Sequence, residues 1–435
     1  MDYGKRRKNV KKFVFKTLGC KVNQYESELI ADNLKEAGML QVGAGSEADF
    51  CIINTCTVTG KASMQSRQAI RQMIRTCPGA HIIITGCYAQ TEPDEIRKIK
   101  GVHEVVGNFE KNRISELILN RKICSNKNIL VAADSRTRPF LKIQDGCDAF
   151  CTYCIVPYAR GTSRSMPFNS VIENINHLKK KGCHEVVLTG IHLGRYGKDL
   201  LPKKGLPKIG LIDLLKSIDE LKLIDRIRLS SIEPCELSND IIRLVADSKT
   251  FCRHFHLPLQ SGCDNVLKRM HRPYTSSFFK DLILKINKTL PDAAIGVDVL
   301  IGFPGETDND FENTYSIIKE LPVTYLHVFP FSPRKGTKAF DYPDKIKESI
   351  IKDRCKKIRD LGMEKKEIFF EKAIGKNAEV LIEAKRDTAT GFLKGITSNY
   401  IPVLIEGEDL LKNKIINANI YKKTDRFSMM AKPQF

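Results

Sequence analysis

The feature that most constrains the fold is an alternation of short apolar runs with amphipathic helical stretches in residues 11–120. The apolar runs, which predict strands, are KFVFKTL, ADFCIINT, HIIITG and HEVVGN. Helical periodicity fills the intervals between them, as in QYESELIADNLKEAG and ASMQSRQAIRQMIR. Continuous apolar strands separated by helices predict a parallel sheet covered on both faces. We therefore expect an α/β domain over residues 11–120.

The alternation restarts in residues 138–340 with six further strand patterns. These are PFLKIQ, EVVLTG, RIRLSS, FCRHFHLPL, IGVDVLIG and YLHVFPF. Helical segments separate them, and most of them end in polar, glycine- or proline-containing loops. A complete TIM barrel has two more βα units, so the pattern predicts an open or partial (βα)6 barrel. The functional face of such a barrel is formed by the carboxyl ends of its strands.

A charged helical pattern over about residues 344–371 leads into a tail at 372–435. There AEVLIEAKR, GFLKGITSN, YIPVLIEG and KIINANIYKK predict short strands joined by turns. This pattern indicates a small antiparallel β-barrel, a shape found in many RNA-binding appendages. The sequence therefore predicts three domains, at 11–120, 138–340 and 372–435, with residues 121–137 as a connector between the first two.

Composition restricts the class of protein and its partners. No apolar run approaches the roughly 18 residues of a membrane span, and the start of the chain lacks the apolar region of a secretory signal, so we expect a cytoplasmic protein. Fourteen cysteines in a reducing compartment indicate metal binding or catalysis rather than a disulfide framework. The formal net charge of +20 favours a polyanionic partner, although a charge kept for solubility is the alternative.

The run QDGCDAFCTYC places Cys147, Cys151 and Cys154 in the pattern C-x3-C-x2-C, just after the first strand of the middle domain. Thiolates are suitable ligands for zinc or an iron–sulfur cluster. A structural zinc site needs four ligands and a catalytic one usually includes a histidine, which the run lacks. A four-iron cluster held by three cysteines leaves one iron open for a substrate or cofactor. We therefore predict such a cluster, with zinc as the alternative.

Three further cysteines each lie just beyond a predicted strand of the first domain: Cys20 in TLGCKVN, Cys56 in NTCTVT and Cys87 in TGCYAQ. The carboxyl ends of parallel strands meet at one edge of a sheet, so these thiols should meet in space. Cysteine is also a common small core residue, an explanation that suits Cys51 and Cys77 better. We predict a second three-cysteine cluster, again with zinc as the alternative.

The C-x3-C-x2-C run and the six-unit barrel resemble the radical S-adenosylmethionine enzymes. In that family the open iron is chelated by S-adenosylmethionine, which the reduced cluster cleaves to a 5′-deoxyadenosyl radical. The resemblance implies cofactor contacts at Tyr153, before the last cysteine, and at Thr189 and Gly190 in LTGIHLG. It also implies ribose or carboxylate contacts at Ser231 and Glu233 in SSIEP, and closure of LIGFPGET over the adenine. Ordinary turns are the alternative for these loops. No catalytic residue is assigned beyond the cluster ligands.

Two three-cysteine sites on separate α/β domains, followed by a β-barrel tail, resemble the methylthiotransferases. The tail then corresponds to the module called TRAM. Members of this family use two [4Fe–4S] clusters and S-adenosylmethionine to insert a methylthio group into an unactivated C–H bond. The resemblance implies tRNA, bound at its anticodon loop, as the partner. It also implies an electron donor such as flavodoxin or ferredoxin, and a sulfur donor.

The stretches LGCKVNQYES and NTCTVT most resemble the branch that methylthiolates C2 of N6-threonylcarbamoyladenosine next to the anticodon of tRNA. Two other branches act on isopentenyladenosine in tRNA and on an aspartate of a ribosomal protein; the isopentenyl branch typically has C-Q-M-N where this chain has CKVN. The basic charge favours tRNA. An iron–sulfur RNA-binding protein without catalytic activity is the alternative from a different class.

Several other residues have two interpretations each. Arg160 and Arg164 either contact phosphate or cofactor, or lie on a solvated loop at the barrel rim. His256 and Gln260 lie near a strand end in HFHLPLQSG, and core packing is as good an explanation for His256 as a site role. The cysteines without partner spacing are expected to be structural: Cys124, Cys183, Cys235, Cys252, Cys263 and Cys355.

Overall fold

The computed structural model describes residues 10–43, 45–120, 136–201, 209–424 and 428–434. These residues form two compact units. The first unit contains the described residues up to 120 together with Ile155–Gly161, and the second contains the other described residues from 136 onward. Most of the predicted connector, residues 121–135, lies outside the described residues. The predicted domain boundaries at 340 and 372 stay predictions.

The first unit is built on a five-stranded sheet. Its strands are β1 (Lys12–Thr17), β2 (Leu40–Gln41), β3 (Phe50–Thr55), β4 (His81–Gly86) and β5 (Glu104–Val106). They lie in the order β2-β1-β3-β4-β5, and every neighbouring pair is parallel. The predicted parallel sheet is therefore confirmed. The extra strand, β2, has only two residues, both exposed, so no apolar pattern marks it in the sequence.

Helices cover both faces of this sheet. They are α1 (Lys21–Glu36), α2 (Gly60–Thr76), α3 (Cys87–Thr91), α4 (Pro93–Arg97), α5 (Arg113–Leu119) and α6 (Val156–Arg160). Consecutive strand residues enter different cores, since side chains alternate across a strand. Ile52 joins Leu34 of α1 in one buried cluster, whereas Ile53 joins Ile70 of α2 in another. This double burial explains why the strands are continuously apolar in sequence.

The second unit begins with parallel strands that match the six predicted ones, together with two short extra strands. The strands are β6 (Phe140–Lys142), β7 (Gln144–Asp145), β8 (Arg164–Ser165), β9 (Glu185–Thr189), β10 (Arg226–Leu229), β11 (His254–Gln260), β12 (Ala294–Ile301) and β13 (Tyr325–Pro330). They form the parallel sheets β6-β9-β10 and β11-β12-β13 and the antiparallel pair β7-β8. An isolated parallel bridge joins Ile227 of β10 to Phe251, which lies just before β11.

Helices alternate with these strands. They are α7 (Phe168–Lys180), α8 (Leu211–Glu220), α9 (Asn239–Asp247), α10 (Asp264–Arg269), α11 (Ser276–Thr289), α12 (Asp308–Glu320) and α13 (Glu348–Glu371). Ser238, Thr275 and Thr307 begin α9, α11 and α12, where each hydroxyl accepts a hydrogen bond from a backbone N–H of the first turn. Among the helices of the described ranges, none has the length and apolar character needed to cross a membrane.

The tail forms a closed five-stranded barrel. Its strands are β14 (Asn377–Arg386), β15 (Leu393–Thr397), β16 (Pro402–Ile405), β17 (Ile415–Lys423) and β18 (Met429–Pro433), in the order β14-β15-β16-β18-β17. The barrel is predicted correctly, but the expectation that it is antiparallel throughout is wrong, because β16 and β18 are parallel. An odd number of strands cannot alternate in direction around a closed ring. The unpredicted fifth strand, β18, therefore requires one parallel pair.

A buried ionic cluster joins β9, β10 and the loop after β15. Glu185 is completely buried and accepts a 2.8 Å hydrogen bond from Nε of Arg228, while Nη2 of Arg226 lies 3.0 Å from its other oxygen. Arg228 also donates to the carbonyl oxygens of Thr397 and Ser398, at 3.1 and 3.0 Å. Burial opposes ionisation of Glu185, but Arg228 and Arg226 outweigh it and lower the pKa to about 2.

We expect Glu185→Gln to lower the free energy of unfolding by about 3 kcal/mol, because it leaves two buried guanidinium groups without their counter-charge. Since the folded-state pKa lies below the usual 4.5, the carboxylate's contribution is complete above about pH 5 and is lost as the pH falls toward 2. Urea unfolding followed by far-UV circular dichroism measures the loss. Glu320→Gln, which breaks the exposed pair with Lys280, is the matched control. Equal unfolding midpoints for the two variants would contradict the prediction.

Candidate metal centres

In the first unit, Cys20, Cys56 and Cys87 follow three adjacent parallel strands. Cys20 is the N-cap of α1, three residues after β1. Cys56 directly follows β3, and Cys87 directly follows β4 as the first residue of α3. Their positions at one edge of the sheet agree with the prediction from the sequence. Burial, together with the nearby thiols of Cys87 and Cys20, raises the pKa of Cys56 to about 11, so the three sulfurs influence one another electrostatically.

Two glycines allow these cysteine loops to approach closely. Gly19 has φ +99°, and a Cβ atom there would lie 2.9 Å from Cβ and 3.1 Å from Sγ of Cys56. Gly86 also has φ +99°, and a Cβ atom there would lie 2.3 Å from the carbonyl oxygen of Thr55. Both distances are too short for a side chain, and φ in this range favours glycine. The motifs LGC and TGC therefore need their glycines for backbone conformation and for close packing.

Asn23, the last residue of CKVN, ties two of the strand ends together. It is completely buried, and Nδ2 donates to the carbonyl oxygens of Leu18 and Thr55 at 2.8 and 3.0 Å. Its own carbonyl oxygen accepts a 2.9 Å hydrogen bond from Nδ2 of Asn54. Leu18 follows β1 and Thr55 ends β3, so this one side chain fixes the spacing between the loops of Cys20 and Cys56.

A buried charge network lies beside the same cysteines. Glu26 lies between two cations, with Nζ of Lys111 at 2.6 Å and Nη1 of Arg160 at 3.0 Å. Arg160 also donates to Oδ1 of Asn23 at 2.5 Å and is only 2% exposed. The interpretation of Arg160 as part of a solvated rim loop is therefore wrong. Burial of its sulfur raises the pKa of Cys20, and the guanidinium of Arg160 opposes that rise.

Asn108 is a further contact that the sequence did not reveal. Its Nδ2 donates to Sγ of Cys87 at 3.5 Å and to the carbonyl oxygen of Ala159 at 2.8 Å. Its buried Oδ1 has no hydrogen-bond partner among the described residues. The only sequence signal is a polar residue soon after β5, in HEVVGN. An amide N–H directed at a sulfur is a typical outer contact of a metal-bound thiolate.

In the second unit, Cys147, Cys151 and Cys154 lie on one loop after β7. Thr152, inside this loop, fixes it to the rest of the unit. Its N–H donates to the carbonyl oxygen of Met270 at 3.1 Å, its hydroxyl donates to that of Arg269 at 2.9 Å, and its carbonyl accepts from Ala339 at 2.8 Å. The loop is thus held in place by the end of α10 before any ligand binds.

Two cationic side chains contact the sulfurs of this loop, and neither was predicted from the sequence. His192 places Nδ1 at 3.2 Å from Sγ of Cys147 and Nε2 at 2.9 Å from Oε2 of Glu236. Burial lowers the pKa of His192, but its contacts with Cys147 and Glu236 outweigh burial and raise the pKa to about 9. Arg272 donates from Nη1 to Sγ of Cys151 at 3.3 Å, and its Nη2 contacts Glu233.

The residues expected to contact a cofactor lie around this loop. Thr189 ends β9, and a Cβ atom at Gly190 would lie 2.9 Å from Oε1 of Gln144. Ser231 hydrogen-bonds Nδ1 of His256 at 2.8 Å, and Glu233 pairs with Arg272. Tyr153 is partly buried, and burial together with the thiols of Cys151 and Cys154 raises its pKa against the opposing effect of Arg272. Their roles as cofactor contacts stay predictions.

Gln144 connects the strand ends at this site. No role was predicted for it from the sequence, although it is the first residue of the run QDGC. It is buried and donates from Nε2 to the carbonyl oxygen of Gly146 at 2.8 Å and to Oγ of Ser163 at 3.0 Å. Its Oε1 accepts a 2.7 Å hydrogen bond from the backbone N–H of His192. Gln144 therefore sets the position of His192 relative to the loop that carries Cys147.

The remaining cysteines form no third cluster among the described residues. Cys51, Cys77, Cys183, Cys252, Cys263 and Cys355 are buried, Cys235 is exposed, and Cys124 lies outside the described residues. Cys51 and Cys77 belong to the apolar core of the first unit, as predicted. Arg164 is exposed and donates to the carbonyl oxygen of Thr162 at 3.0 Å.

The amino-acid sequence of the chain matches known proteins over most of its length. Residues 12–107 match the family model described as uncharacterized protein family UPF0004, and residues 141–318 match the radical SAM superfamily. A relative from Bacillus subtilis, named threonylcarbamoyladenosine tRNA methylthiotransferase MtaB, is 39% identical over 94% of this chain and 93% of its own. A relative from Protochlamydia amoebophila, named tRNA-2-methylthio-N(6)-dimethylallyladenosine synthase, is 31% identical over 95% and 94%.

Among solved structures, the radical S-adenosylmethionine methyltransferase TsrM from Kitasatospora setae, with cobalamin and a [4Fe–4S] cluster bound, superposes with a TM-score of 0.54. It is 14% identical and the match covers 76% of this chain and 77% of TsrM, so the likeness concerns the fold alone. The identity to the MtaB relatives reaches 36–39% over 84–94% of the chain. With its two domain models and its two three-cysteine sites, the chain belongs to the radical S-adenosylmethionine methylthiotransferase family.

Proposed function

We propose that this chain methylthiolates C2 of N6-threonylcarbamoyladenosine next to the anticodon of tRNA, giving 2-methylthio-N6-threonylcarbamoyladenosine. The observation that carries the proposal is the pair of three-cysteine sites, each at the carboxyl ends of parallel strands in its own unit. The MtaB relatives support the threonylcarbamoyl substrate by name and by their higher identity. The dimethylallyladenosine relatives keep the isopentenyl substrate as the alternative.

The residues present fit two [4Fe–4S] clusters as cofactors, together with S-adenosylmethionine. Each site offers three thiols, which leaves the fourth iron of a cluster open. At the first site the N–H of Asn108 that is directed at Cys87 is the outer contact that a thiolate ligand uses. At the second, His192 and Arg272 are directed at two of the three sulfurs.

The thiols of Cys147, Cys151 and Cys154 would hold a [4Fe–4S] cluster, which would supply the electron for reductive cleavage of S-adenosylmethionine. The chain's own residues orient the ligands and disperse their charge. His192 and Arg272 lie at the sulfurs of Cys147 and Cys151, where cationic N–H groups stabilise thiolates and shift the cluster's potential.

We further propose that five residues line the S-adenosylmethionine site: Tyr153, Thr189, Gly190, Ser231 and Glu233. All lie on the cysteine loop or just beyond the carboxyl ends of β9 and β10. Glu233 is oriented by Arg272, which leaves its other oxygen free to accept from a hydroxyl or ammonium group. Ser231 is oriented by His256 in the same way.

The thiols of Cys20, Cys56 and Cys87 would hold the second cluster, which would supply an open iron for the sulfur to be transferred. Asn23 keeps the first two cysteine loops at a fixed separation, and Asn108 is directed at the third sulfur. Arg160 and Lys111, paired with Glu26, supply buried N–H groups beside an anionic cluster. Such groups favour the deprotonated thiols that bind iron.

The remaining assignments complete the proposal. The strands β6 and β9–β13 form a partial (βα)6 barrel, and the tail is a TRAM-like RNA-binding domain. The domains are then 11–120, 138–340 and 372–435. The net charge of +20 suits binding of the anticodon arm of tRNA in the cytoplasm. An electron donor such as flavodoxin or ferredoxin reduces the clusters, and a separate donor supplies the sulfur.

Replacing each set of cysteines should separate the two sites. Anaerobically reconstituted protein should hold about eight irons, two clusters of four. With Cys147, Cys151 and Cys154 changed to Ala, about half the iron should remain and no 5′-deoxyadenosine should form. With Cys20, Cys56 and Cys87 changed to Ala, about half the iron should remain, and 5′-deoxyadenosine should still form without methylthiolated RNA. Iron analysis and mass spectrometry measure these outcomes.

Cys235→Ala, at an exposed cysteine outside both sets, is the matched control and should keep all the iron. Zinc analysis of the same samples tests the alternative metal. Unchanged iron in either triple variant, or zinc in place of iron, would contradict the cluster assignment. Methylthiolated product from the Cys20, Cys56 and Cys87 variant would show that the first site does not carry the sulfur.

The tail should bind RNA phosphates through exposed lysines. Changing Lys385, Lys422 and Lys432 to Gln leaves the barrel core intact. We expect weaker tRNA binding, and a slope of log Kd against log salt that falls by up to about one for each phosphate that a lysine no longer neutralises. The control changes three exposed lysines of the first unit, Lys61, Lys98 and Lys100, to Gln. An equal salt slope for the tail variant and the wild type would assign the tail a structural role.

The substrate is tested with anticodon stem-loops that differ only at the modified adenosine. Reconstituted enzyme with S-adenosylmethionine, a reductant and sulfide should methylthiolate the N6-threonylcarbamoyladenosine RNA and leave the isopentenyladenosine RNA largely unchanged. A site built for a polar substituent leaves its own polar groups unpaired against an apolar one, which can reject it by about 10⁴-fold. Mass spectrometry of digested RNA measures both products. Product from the isopentenyladenosine RNA alone would overturn the substrate assignment while leaving the radical chemistry in place.

A further inference from the structure

A polar and aromatic cluster on β11–β13 includes neither of the two sets of cysteines. It consists of His256 on β11, Asp298 on β12, and His327 and Phe329 on β13, and we call it the inner-face cluster. Asp298 and His327 are register partners on neighbouring strands, and Phe329 is two residues further along the same face as His327. His256 and Asp298 are mostly buried, whereas His327 and Phe329 are 49% and 41% exposed.

The other face of β13 is covered by α13. A Cβ atom at Gly362 of α13 would lie 3.2 Å from the side chain of Leu326, and Nη2 of Arg359 donates to the carbonyl oxygen of Val328. Because side chains alternate along a strand, His327 and Phe329 point away from α13. The inner-face cluster therefore lies on the face of β13 opposite α13. No helix of the described residues covers that face of β13.

The hydrogen bonds within the cluster determine what it can bind. Oδ1 of Asp298 lies 2.8 Å from Nε2 of His256 and 3.2 Å from Nδ1 of His327. Burial opposes ionisation of Asp298, but these two imidazoles lower its pKa, so the carboxylate can only accept. Nε2 of His256 and Nδ1 of His327 must then both carry protons. A nitrogen that donates its proton cannot ligate a metal, so the arrangement does not favour a metal ion although the residue types would suit one.

The same bonds leave Nε2 of His327 without an assigned contact among the described residues. Nδ1 of His256 is used by Oγ of Ser231, at 2.8 Å. His327 donates through Nδ1, so in the neutral ring Nε2 is an acceptor, and the ring is half exposed. Through the contact with Nδ1, Asp298 thus fixes the tautomer and the orientation of His327, as a carboxylate does for a functional histidine.

Phe329 adds an apolar surface beside that acceptor. Its ring centroid lies 6.4 Å from that of His327, in an edge-on arrangement. An exposed aromatic ring next to a fixed hydrogen-bonding group is the combination by which proteins hold an unstacked nucleobase: the ring stacks on the base and the polar group contacts its edge.

The position of the inner-face cluster along the strands also suits the binding of a nucleobase. Toward the amino ends, the rings of His254, Tyr325 and Tyr400 pack against one another and close this face, with centroids 4.6–6.1 Å apart. Toward the carboxyl ends, Ser231 leads to Glu233, whose partner Arg272 contacts Cys151. The inner-face cluster therefore opens toward the candidate S-adenosylmethionine site of the same unit.

We propose that the inner-face cluster binds the target nucleoside, with Phe329 stacked on the adenine and Nε2 of His327 accepting a hydrogen bond from the polar substituent on N6. This inference rests on the proposed function and deepens it, since it names the residues that select the substrate. The N–H and O–H groups of a threonylcarbamoyl substituent can donate to Nε2. An isopentenyl chain has no donor beyond N6 and would leave Nε2 buried and unpaired.

The test measures binding of the cluster-loaded full chain to three anticodon stem-loops, carrying N6-threonylcarbamoyladenosine, isopentenyladenosine or unmodified adenosine at the same position. His327→Leu should weaken binding of the threonylcarbamoyl RNA by about tenfold, the value of one hydrogen bond, and leave the other two Kd values unchanged. Phe329→Ala should weaken binding of all three RNAs by about tenfold or more, because stacking does not depend on the substituent. Phe278→Ala, at an exposed phenylalanine of α11, is the matched control.

Iron content and 5′-deoxyadenosine formation without RNA should be unchanged in every variant, which shows that each one is folded and loaded. If His327→Leu weakened the binding of all three RNAs equally, or weakened the binding of none of them, the assignment of His327 would be wrong. Unchanged binding by Phe329→Ala would overturn the stacking role. These outcomes differ from failure of the proposed function, in which the wild-type enzyme itself would modify the isopentenyladenosine RNA and leave the threonylcarbamoyl RNA unmodified.

Discussion

Parallel strand pairing is the constraint on which the candidate sites depend. In a parallel sheet every strand ends at the same edge, so residues that are far apart in sequence become neighbours there. Cys20, Cys56 and Cys87 come together in this way after β1, β3 and β4. In the second unit the same geometry places His192 after β9 and Glu233 after β10 beside the cysteine loop. Both candidate metal centres therefore depend on sheet topology as much as on the sequence motifs.

Buried charges also stabilise both units, and in each unit a carboxylate lies between two cations. Glu26 lies between Lys111 and Arg160 in the first unit, and Glu185 lies between Arg226 and Arg228 in the second. Breaking such a buried set is costly, so each holds distant segments of its unit in one arrangement. Their functions differ, because the first set lies beside the cysteines, whereas the second joins β9 and β10 to the loop after β15.

The second unit uses the two ends of its parallel strands differently. At the amino ends, Arg228 and the ring of Tyr400, which packs against His254, bring the loop after β15 against the strands and close them. At the carboxyl ends, the cysteine loop is fixed through Thr152, while the residues around it keep polar groups directed at sulfur. The half-exposed His327 and Phe329 lie between these ends. A closed, rigid end and an open, polar end are what a radical reaction on a large substrate requires, since the intermediate must be both positioned and protected.

The sequence by itself determined most of the elements and the candidate ligand sets, because both depend on local patterns: apolar periodicity for the strands, and cysteines just beyond strand ends. It could not determine contacts between distant segments. Only the tertiary structure placed Arg160 against Glu26 rather than in solvent, and His192 and Arg272 against the cysteine sulfurs. It also decided the parallel β16–β18 pair, since closure of an odd-numbered barrel is a property of the whole ring. Likewise, the sharing of Asp298 by two histidines depends on contacts between β11, β12 and β13, which are distant from one another in sequence.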